Sequence, residues 1–208
     1  DAFLREETYA KTRLPVDFAS TLIPDAYVSP EFHALEQERV FAKSWVPVCV
    51  PDEVREPGQF LVVEVAGRSI IVTRNQAGEL RAHHNVCRHR GARLCEGTGK
   101  VKRFFSCPYH AWAYDLDGTC LGTPLFTPES EVPVDQRAAF DMADIKAFDI
   151  AEMGLHPVRV AEWGCLVFVC LDPDTPPIEH ELGDLVEQLA GYRLDEYRLA
   201  RRVEYDIN

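Results

Sequence analysis

The sequence predicts a mainly β fold. An antiparallel β-sandwich or barrel is preceded by a helix and followed by the start of a second, α+β domain. Three observations carry that prediction. Short β-branched runs recur between residues 45 and 172, divided by proline and glycine. A capped helical pattern comes before them, and a second helical pattern follows a proline-rich break. Strands this short and closely spaced pair as hairpins, whereas parallel strands need long crossovers.

The elements follow in order. Residues 1–28 are irregular and rich in proline and polar residues, and read as an N-terminal arm. "SPEFHALEQERVFAKSW" (29–45) reads as a helix: Ser29 can cap it, Pro30 suits its first turn, and Glu31 meets its dipole. Phe32, Leu35, Phe41 and Trp45 would form its buried stripe. "WVPVCV", "FLVVEV" and "RSIIVTR" are strand runs, broken at "PDEVREPG" and "AGR". "NQAG" (75–78) is a turn. "ELRAHHNV" and "VKRFF" each lead as a strand into a loop. "AWAYDLDGTCL" is a hairpin turning at Asp117-Gly118. The polar stretch 123–152 reads as a long excursion. "HPVRVAEWGCLVFVCLD" returns to strand character, with a turn at Glu162-Trp163-Gly164. After the break "DPDTPPIE", "IEHELGDLVEQLAGY" fits one helix with Leu182, Leu185, Val186 and Leu189 on a face, and "YRLARRVEYDIN" alternates like a strand. The division expected is 1–44 arm and helix, 45–172 the β domain, and 173–208 linker, helix and first strand of a further domain.

Composition narrows the function. The 208 residues suffice for one domain and part of a second, and a formal charge of −12 repels nucleic acid and anionic membranes. The longest apolar run, near "CLVFVCL", is seven residues, far short of the roughly 20 needed to span a bilayer. Seven cysteines, an odd number at irregular spacing, together with an acidic N-terminus unlike a signal peptide, suggest a reducing compartment and a cytoplasmic protein. Against the acidic background, Arg88, Arg90, Arg93, Lys100, Lys102 and Arg103 stand out. They read either as a solvated loop surface or as a docking patch for an acidic electron carrier.

The chemistry lies in "CRHRGARLC" (87–95) and "SCPYHAW" (106–112). Each supplies one cysteine and one histidine: Cys87 and His89 as C-x-H, Cys107 and His110 as C-x2-H, with seventeen residues between His89 and Cys107. Thiolate and neutral imidazole both bind iron or zinc. Zinc sites usually draw on C-x2-C and H-x3-H pairs. One Cys–His pair from each of two loops suits instead a two-iron, two-sulfide cluster, with thiolates on one iron and imidazoles on the other. A zinc site and chance spacing are the alternatives. Neutral imidazole makes such a cluster less negative and raises its potential, and the outer ring nitrogens can couple electron gain to proton gain. That chemistry favours a one-electron relay over hydrolysis. Gly91 would let the first loop turn tightly, and Pro108 would stiffen the second. Other candidates carry less. His83 and His84 read as strand-end residues; His33, His156 and His180 as surface or packing residues; Asp115 and Asp117 as turn formers; Cys95 and Cys120 as packed thiols. Trp112 and Tyr114 could cover a cluster or simply pack.

"NVCRHRGARLC…FFSCPYHAWAYDLDG" resembles the Rieske domain of the α subunits of Rieske non-haem iron oxygenases, a family of aromatic-ring-hydroxylating dioxygenases and quaternary-amine monooxygenases. "LIPDAYVSPEFHALEQERVFAKSWVPVC", "PGQFLVVEVAGRSIIVTRNQAGELRAHHNVC" and "EWGCLVFVCLDPDTPP" extend the resemblance from about residue 22 onward. It implies a Rieske-type β-sandwich and a [2Fe–2S] cluster held by Cys87 and Cys107 on one iron and His89 and His110 on the other. It implies an oxidoreductase of the EC 1.14 type that hydroxylates an aromatic or amine-type small molecule with O2 and NAD(P)H-derived electrons. Partners would be a reductase, with or without a ferredoxin, in a homotrimer or α3β3 assembly. Ala111 stands where many members have glycine, and Tyr109 where respiratory-type members have a cysteine, so the disulfide of that subclass is not expected. The mononuclear Fe(II) would sit in a catalytic domain beyond Asn208, which is then not a natural domain end, and no catalytic residue would lie in this segment. The alternative is a free-standing Rieske-type electron-transfer protein, about half this length and without the entry helix or tail.

Overall fold

The computed structural model describes residues 2–124, 149–203 and 205. Most of the excursion expected at 123–152 lies outside the described residues. Among the described residues ten short strands carry the fold: β1 (Val46–Cys49), β2 (Gln59–Val65), β3 (Arg68–Arg74), β4 (Leu80–His84), β5 (Thr98–Lys100), β6 (Phe104–Ser106), β7 (Ala113–Asp115), β8 (Cys120–Gly122), β9 (Pro157–Trp163) and β10 (Leu166–Cys170). They form a seven-stranded sheet in the order β1-β10-β9-β4-β3-β2-β5 and a three-stranded sheet, β6-β7-β8. Every neighbouring pair is antiparallel. The mainly β, antiparallel fold matches the expectation.

Alternation sorts the side chains of β2 and β3 between two cores. Phe60 and Ile71 face the small sheet and join Phe105, Tyr114, Leu116, Trp112, Cys87 and Cys107. Leu61, Val65, Ile70 and Val72 face the other way and meet Cys49, Val158, Val167 and Val169. The second core draws on strands from β1 at one end of the large sheet to β2, next to its other end, so that sheet must curl around it. Ile70, Ile71 and Val72 are fully buried, each worth about 1.5–3 kcal/mol by area. Burial on both faces explains why these strands read as continuous apolar runs.

The turns follow the residue types. Val65 pairs with Arg68 across a two-residue turn, Ala66-Gly67, with both φ values positive. At 75–78 the Asn75 carboxamide accepts from the N–H groups of Ala77 and Glu79. The β9–β10 turn falls one residue later than expected: Trp163 pairs with Leu166, so Gly164 and Cys165 make the bend, with Gly164 at φ +59°. Strand β5 was not legible in the sequence. "TGK" is exposed throughout and carries no apolar period; it pairs with β2 because Gly99 lets the strand lie over the Phe60 ring.

The flanks depart more from expectation. Helix α1 (Pro30–Arg39) has the predicted cap, Ser29 Oγ accepting from Phe32 N. It buries no residue, however, and ends before Phe41 and Trp45, so the four-residue stripe does not form. Phe32 meets Phe3 of the arm edge-on at 5.2 Å. Trp45 donates to the Pro176 carbonyl and lies under the Arg159 guanidinium, which also bonds carbonyls of residues 172–176. The single helix expected at 178–192 is two, α2 (Ile178–Leu182) and α3 (Leu185–Leu189), because Gly183 takes φ +51° between them. Leu185 and Val186 are exposed. The strand expected at 197–208 does not form over 197–203, where the chain instead lies against residues 52 and 53 through Leu199 N to Asp52 and the Arg202–Glu53 pair. Alternation alone makes no strand without an edge to pair with. Glu204 and residues 206–208 lie outside the described residues. Among the described residues no helix is long and apolar enough to cross a membrane.

The β7–β8 hairpin rests on His83. That ring is buried, contacts the Leu116 carbonyl at 3.2 Å, and sits under Gly118. Gly118 has φ +87°, and a Cβ there would meet the ring at 2.6 Å. Gly118→Ala is therefore expected to destabilise the protein by about 2–4 kcal/mol, combining left-handed strain with a clash in the core. Chemical denaturation checks this; a loss under ~0.5 kcal/mol would contradict it.

Candidate metal centre

The two loops flagged by their Cys–His pairs close in the same way. In the first, Cys87 N donates to Ala92 O at 2.8 Å and Gly91 N returns to Cys87 O at 3.0 Å. In the second, Cys107 N donates to Trp112 O at 2.8 Å and Ala111 N returns to Cys107 O at 3.0 Å. Each cysteine thus opens a loop whose fourth following residue has positive φ, +72° at Gly91 and +56° at Ala111. Glycine adopts that conformation freely. Ala111 does so at a cost of roughly 1–2 kcal/mol.

Each loop is held from outside. Asn85, fully buried, accepts from Leu94 N (2.9 Å) and Cys95 N (3.3 Å) and donates to Cys95 O (2.8 Å) and Ser69 Oγ (3.1 Å). It clamps the return of the first loop to β3. The β7–β8 turn below the second loop is tied to the 75–79 turn and β4. Asp117 accepts from Asn75 Nδ2 and Arg81 Nε, both at 2.8 Å. Asp115 Oδ1 accepts from Asp117 N and Thr119 N. Asp115 is the turn former the sequence suggests, whereas Asp117 reaches across to two other elements.

The candidate donors meet in like pairs, ring beside ring and thiol beside thiol. The His89 and His110 ring centroids are 4.7 Å apart. Cys107 lies close enough to Cys87 to push its thiol up further. Both cysteines are buried, and both rings are half-buried. Trp112 stacks flat on His89 (4.9 Å, 7°), and Tyr109 lies over His110 (3.8 Å). Burial pushes the Cys87 thiol up from its ordinary value. The Tyr114 hydroxyl and the His89 backbone N–H oppose that, and Cys107 adds to it. Burial, together with His110 and Arg90 nearby, lowers His89 and keeps its imidazole neutral. A thiol so raised needs a metal to become a thiolate, and a neutral ring is the ligand form of histidine. His110 Nδ1 is buried without a hydrogen-bond partner. These features fit a metal–sulfur group with thiolates on one side and imidazoles on the other. Among the described residues no three His, Cys, Asp or Glu side chains gather as a mononuclear site requires.

Tyr114 is the residue the sequence left undecided. Its ring is fully buried, and its oxygen accepts from Arg88 N at 3.0 Å and lies 3.3 Å from Cys87 Sγ. Either the hydroxyl or the thiol can donate in that contact; toward a metal-bound thiolate only the phenol could. Burial, with Cys87 adding, raises the hydroxyl well above its ordinary range, so it stays protonated. Asn85 was missed; the signal was a lone carboxamide between a strand and the first loop cysteine. Cys95 is half-buried and pushed up to about 12 by burial, as a packed thiol should be. All seven cysteines are free thiols. His156, read as ordinary, has its ring nitrogen against an Arg88 guanidinium nitrogen.

Comparison with known proteins agrees with this geometry. The family model for the Rieske [2Fe-2S] domain matches residues 44–148. The chain is similar to the glycine betaine monooxygenase oxygenase subunit of Chromohalobacter salexigens, 37% identical over 84% of this chain and 35% of that protein. Among solved structures it resembles a quaternary ammonium Rieske monooxygenase in complex with gamma-butyrobetaine (TM-score 0.74, 31% identity, 90% of this chain and 52% of that one). It also resembles naphthalene 1,2-dioxygenase from Rhodococcus sp. (TM-score 0.65, 33% identity, 80% and 35%). The chain spans a third to a half of the length of the curated relatives it matches. Strands β9 and β10 lie past the matched range yet complete the same large sheet. With half its length inside that family model and its fold shared with solved members, the chain belongs to the Rieske [2Fe-2S] domain family.

Proposed function

We propose that Cys87 and Cys107 bind one iron, and His89 and His110 the other, of a [2Fe–2S] cluster, and that the chain is the electron-relay part of an oxygenase subunit. The observation that carries this is the pairing of two identically closed loops, each presenting one thiol and one imidazole. Bound there, the cluster supplies one-electron transfer at a potential above that of an all-cysteine cluster. The chain's own residues do the rest. Gly91 and Ala111 set the loop turns, Asn85 holds the first loop, Asp117 ties down the β7–β8 turn beyond the second, and Tyr114 would donate to the Cys87 sulfur as thiolate. Trp112 shields one face of His89, while the outer edge of the imidazoles remains half-exposed, where electrons and protons can pass.

By the family resemblance, the reaction of the whole protein would be hydroxylation with O2 and NAD(P)H-derived electrons. Two of the proteins compared carry quaternary ammonium substrates in their names, which favours an amine over an aromatic substrate. The mononuclear iron would be held in the part of the relatives that this chain does not span. A reductase, with or without a ferredoxin, and a homotrimeric or α3β3 assembly complete the proposal, in a reducing compartment such as the cytoplasm. A free-standing electron-transfer protein is not favoured, because the relatives are oxygenase subunits.

Purified protein should contain two irons and two acid-labile sulfides per chain. Zinc without sulfide would overturn the assignment. His110→Cys is expected to retain a cluster but lower its midpoint potential and weaken the pH dependence of that potential; potentiometry from pH 6 to 10 checks it, and an unchanged pH slope would count against His110 as a ligand. Tyr114→Phe should leave iron content intact while lowering the potential by tens of millivolts, the worth of roughly one hydrogen bond to sulfur.

A further inference from the structure

His83 lies outside the proposed ligand set, yet the hairpin behind the second loop rests on it. Its ring is 2% exposed and projects from β4 beneath that hairpin. Nε2 lies 3.2 Å from the Leu116 carbonyl. A carbonyl only accepts, so Nε2 carries the proton and Nδ1 is the bare nitrogen of a neutral ring. Nδ1 is buried and has no partner among the described residues. Gly118, at φ +87°, packs over that nitrogen, where a Cβ would stand 2.8 Å from it.

Among the described residues no group is placed to take a second proton from this ring. Its own strand brings Arg81, a cation, while His84 alternates to the other face of the sheet. Strands β3 and β9 set Ile71 and Pro157 opposite it. The segment 150–155, tied down by Leu155 N donating to Gly118 O at 2.7 Å, brings one acid, Glu152, which is exposed. The hairpin brings Asp115 and Asp117, whose charges act on the ring. Both are committed elsewhere: Asp115 to the N–H groups of Asp117 and Thr119, and Asp117 to Asn75 and Arg81. Burial outweighs them and holds the ring below its ordinary value of 6.5, with the Leu116 carbonyl, Asp117 and Asp115 opposing.

The hairpin seated on this ring also reaches the site. Leu116 and Gly118 follow closely on Tyr114, whose oxygen meets Arg88 N and Cys87 Sγ. We propose that His83 is a pH-operated latch: neutral, it seats the β7–β8 hairpin and keeps Tyr114 against the first loop; protonated at Nδ1, it leaves its buried seat and the hairpin opens locally. The proton comes from solvent, and no covalent bond between heavy atoms changes. A seated ring takes its proton less readily than a released one. The latch's contribution is therefore complete above about pH 6.5 and is lost as pH falls below it. Asp117 stays charged through that window, because Asn75, with Arg81 adding, holds its carboxyl below the usual carboxylate range.

Hydrogen–deuterium exchange of the cluster-loaded protein, corrected for the intrinsic pH dependence of exchange, reads the latch. In the parent, protection of the 113–122 amides should fall roughly tenfold or more between about pH 7.5 and 5.0, while that of β2 and β3 holds. His83→Gln keeps a donor for the Leu116 carbonyl but cannot charge, and should lose less than about twofold over the same range. His83→Phe fills the space without a donor; its hairpin should be less protected than the parent's at the higher pH and indifferent to acid. A parent equally protected at both pH values would overturn the latch however the variants fold. So would an acid loss of equal size in parent and His83→Gln, which would assign it to another group such as His84, itself lowered by burial. A loss shared by β2 and β3 would be global unfolding and would overturn it too. Iron release to a chelator tests the hold on the site, and that arm rests on the cluster reading above. Acid should speed release at least about threefold more in the parent than in His83→Gln, and equal acceleration would break the link from latch to Tyr114. A chain without iron or sulfide would sink the cluster reading alone, with exchange still deciding the latch.

Discussion

One buried phenol joins the two halves of this site. Tyr114 belongs to the strand that follows the second loop, yet its oxygen takes the Arg88 N–H and faces the Cys87 sulfur of the first. Neither loop is a regular element, and neither would hold its geometry alone. Fixing each loop residue costs about 1–2 kcal/mol of backbone entropy. The cost is met by satisfying backbone groups at fixed points. Tyr114 does so between the loops, Asn85 between the first loop and β3, and Asp117 between the β7–β8 turn and the large sheet. Each loop then holds its own Cys–His pair at a fixed place in the fold.

The same network separates site from scaffold. The large sheet is built from β-branched runs buried on both faces and needs no specific polar contact to form. The small sheet has strands of only three residues, too short to stand alone, and gains its stability from packing Phe105 and Tyr114 onto Phe60 and Ile71. That division leaves the loops at the rim of a rigid layer. Their imidazoles are only partly covered while their thiols are sunk in the core. Thiols inside and imidazole rings at the rim is the polarity the proposed relay would use, because electrons and protons would have to reach the imidazole side from solvent or from a partner.

Much of this was legible. The two Cys–His pairs, the loop between strands on each side, the β7–β8 hairpin and the helix cap all follow from residue type and spacing, since they are local. Ala111 stood out as an alanine in a glycine position, and its positive φ gives the reason. The flanks were less legible. The pattern at 197–208 alternates, but a strand exists only where an edge accepts it, and the residues described there lie against a turn instead. The expected stripe on α1 failed because the helix stops at Arg39, two residues before Phe41.

The sequence by itself determined the two Cys–His pairs, the antiparallel class and the acidic balance, because each depends on residue identity and short spacing. Only the tertiary structure decided which polar residues serve the site. Tyr114, Asn85 and Asp117 are ordinary in sequence, and their partners lie 9 to 42 residues away. Hydrogen bonds across such separations are set by how the two sheets pack, and no local pattern encodes them.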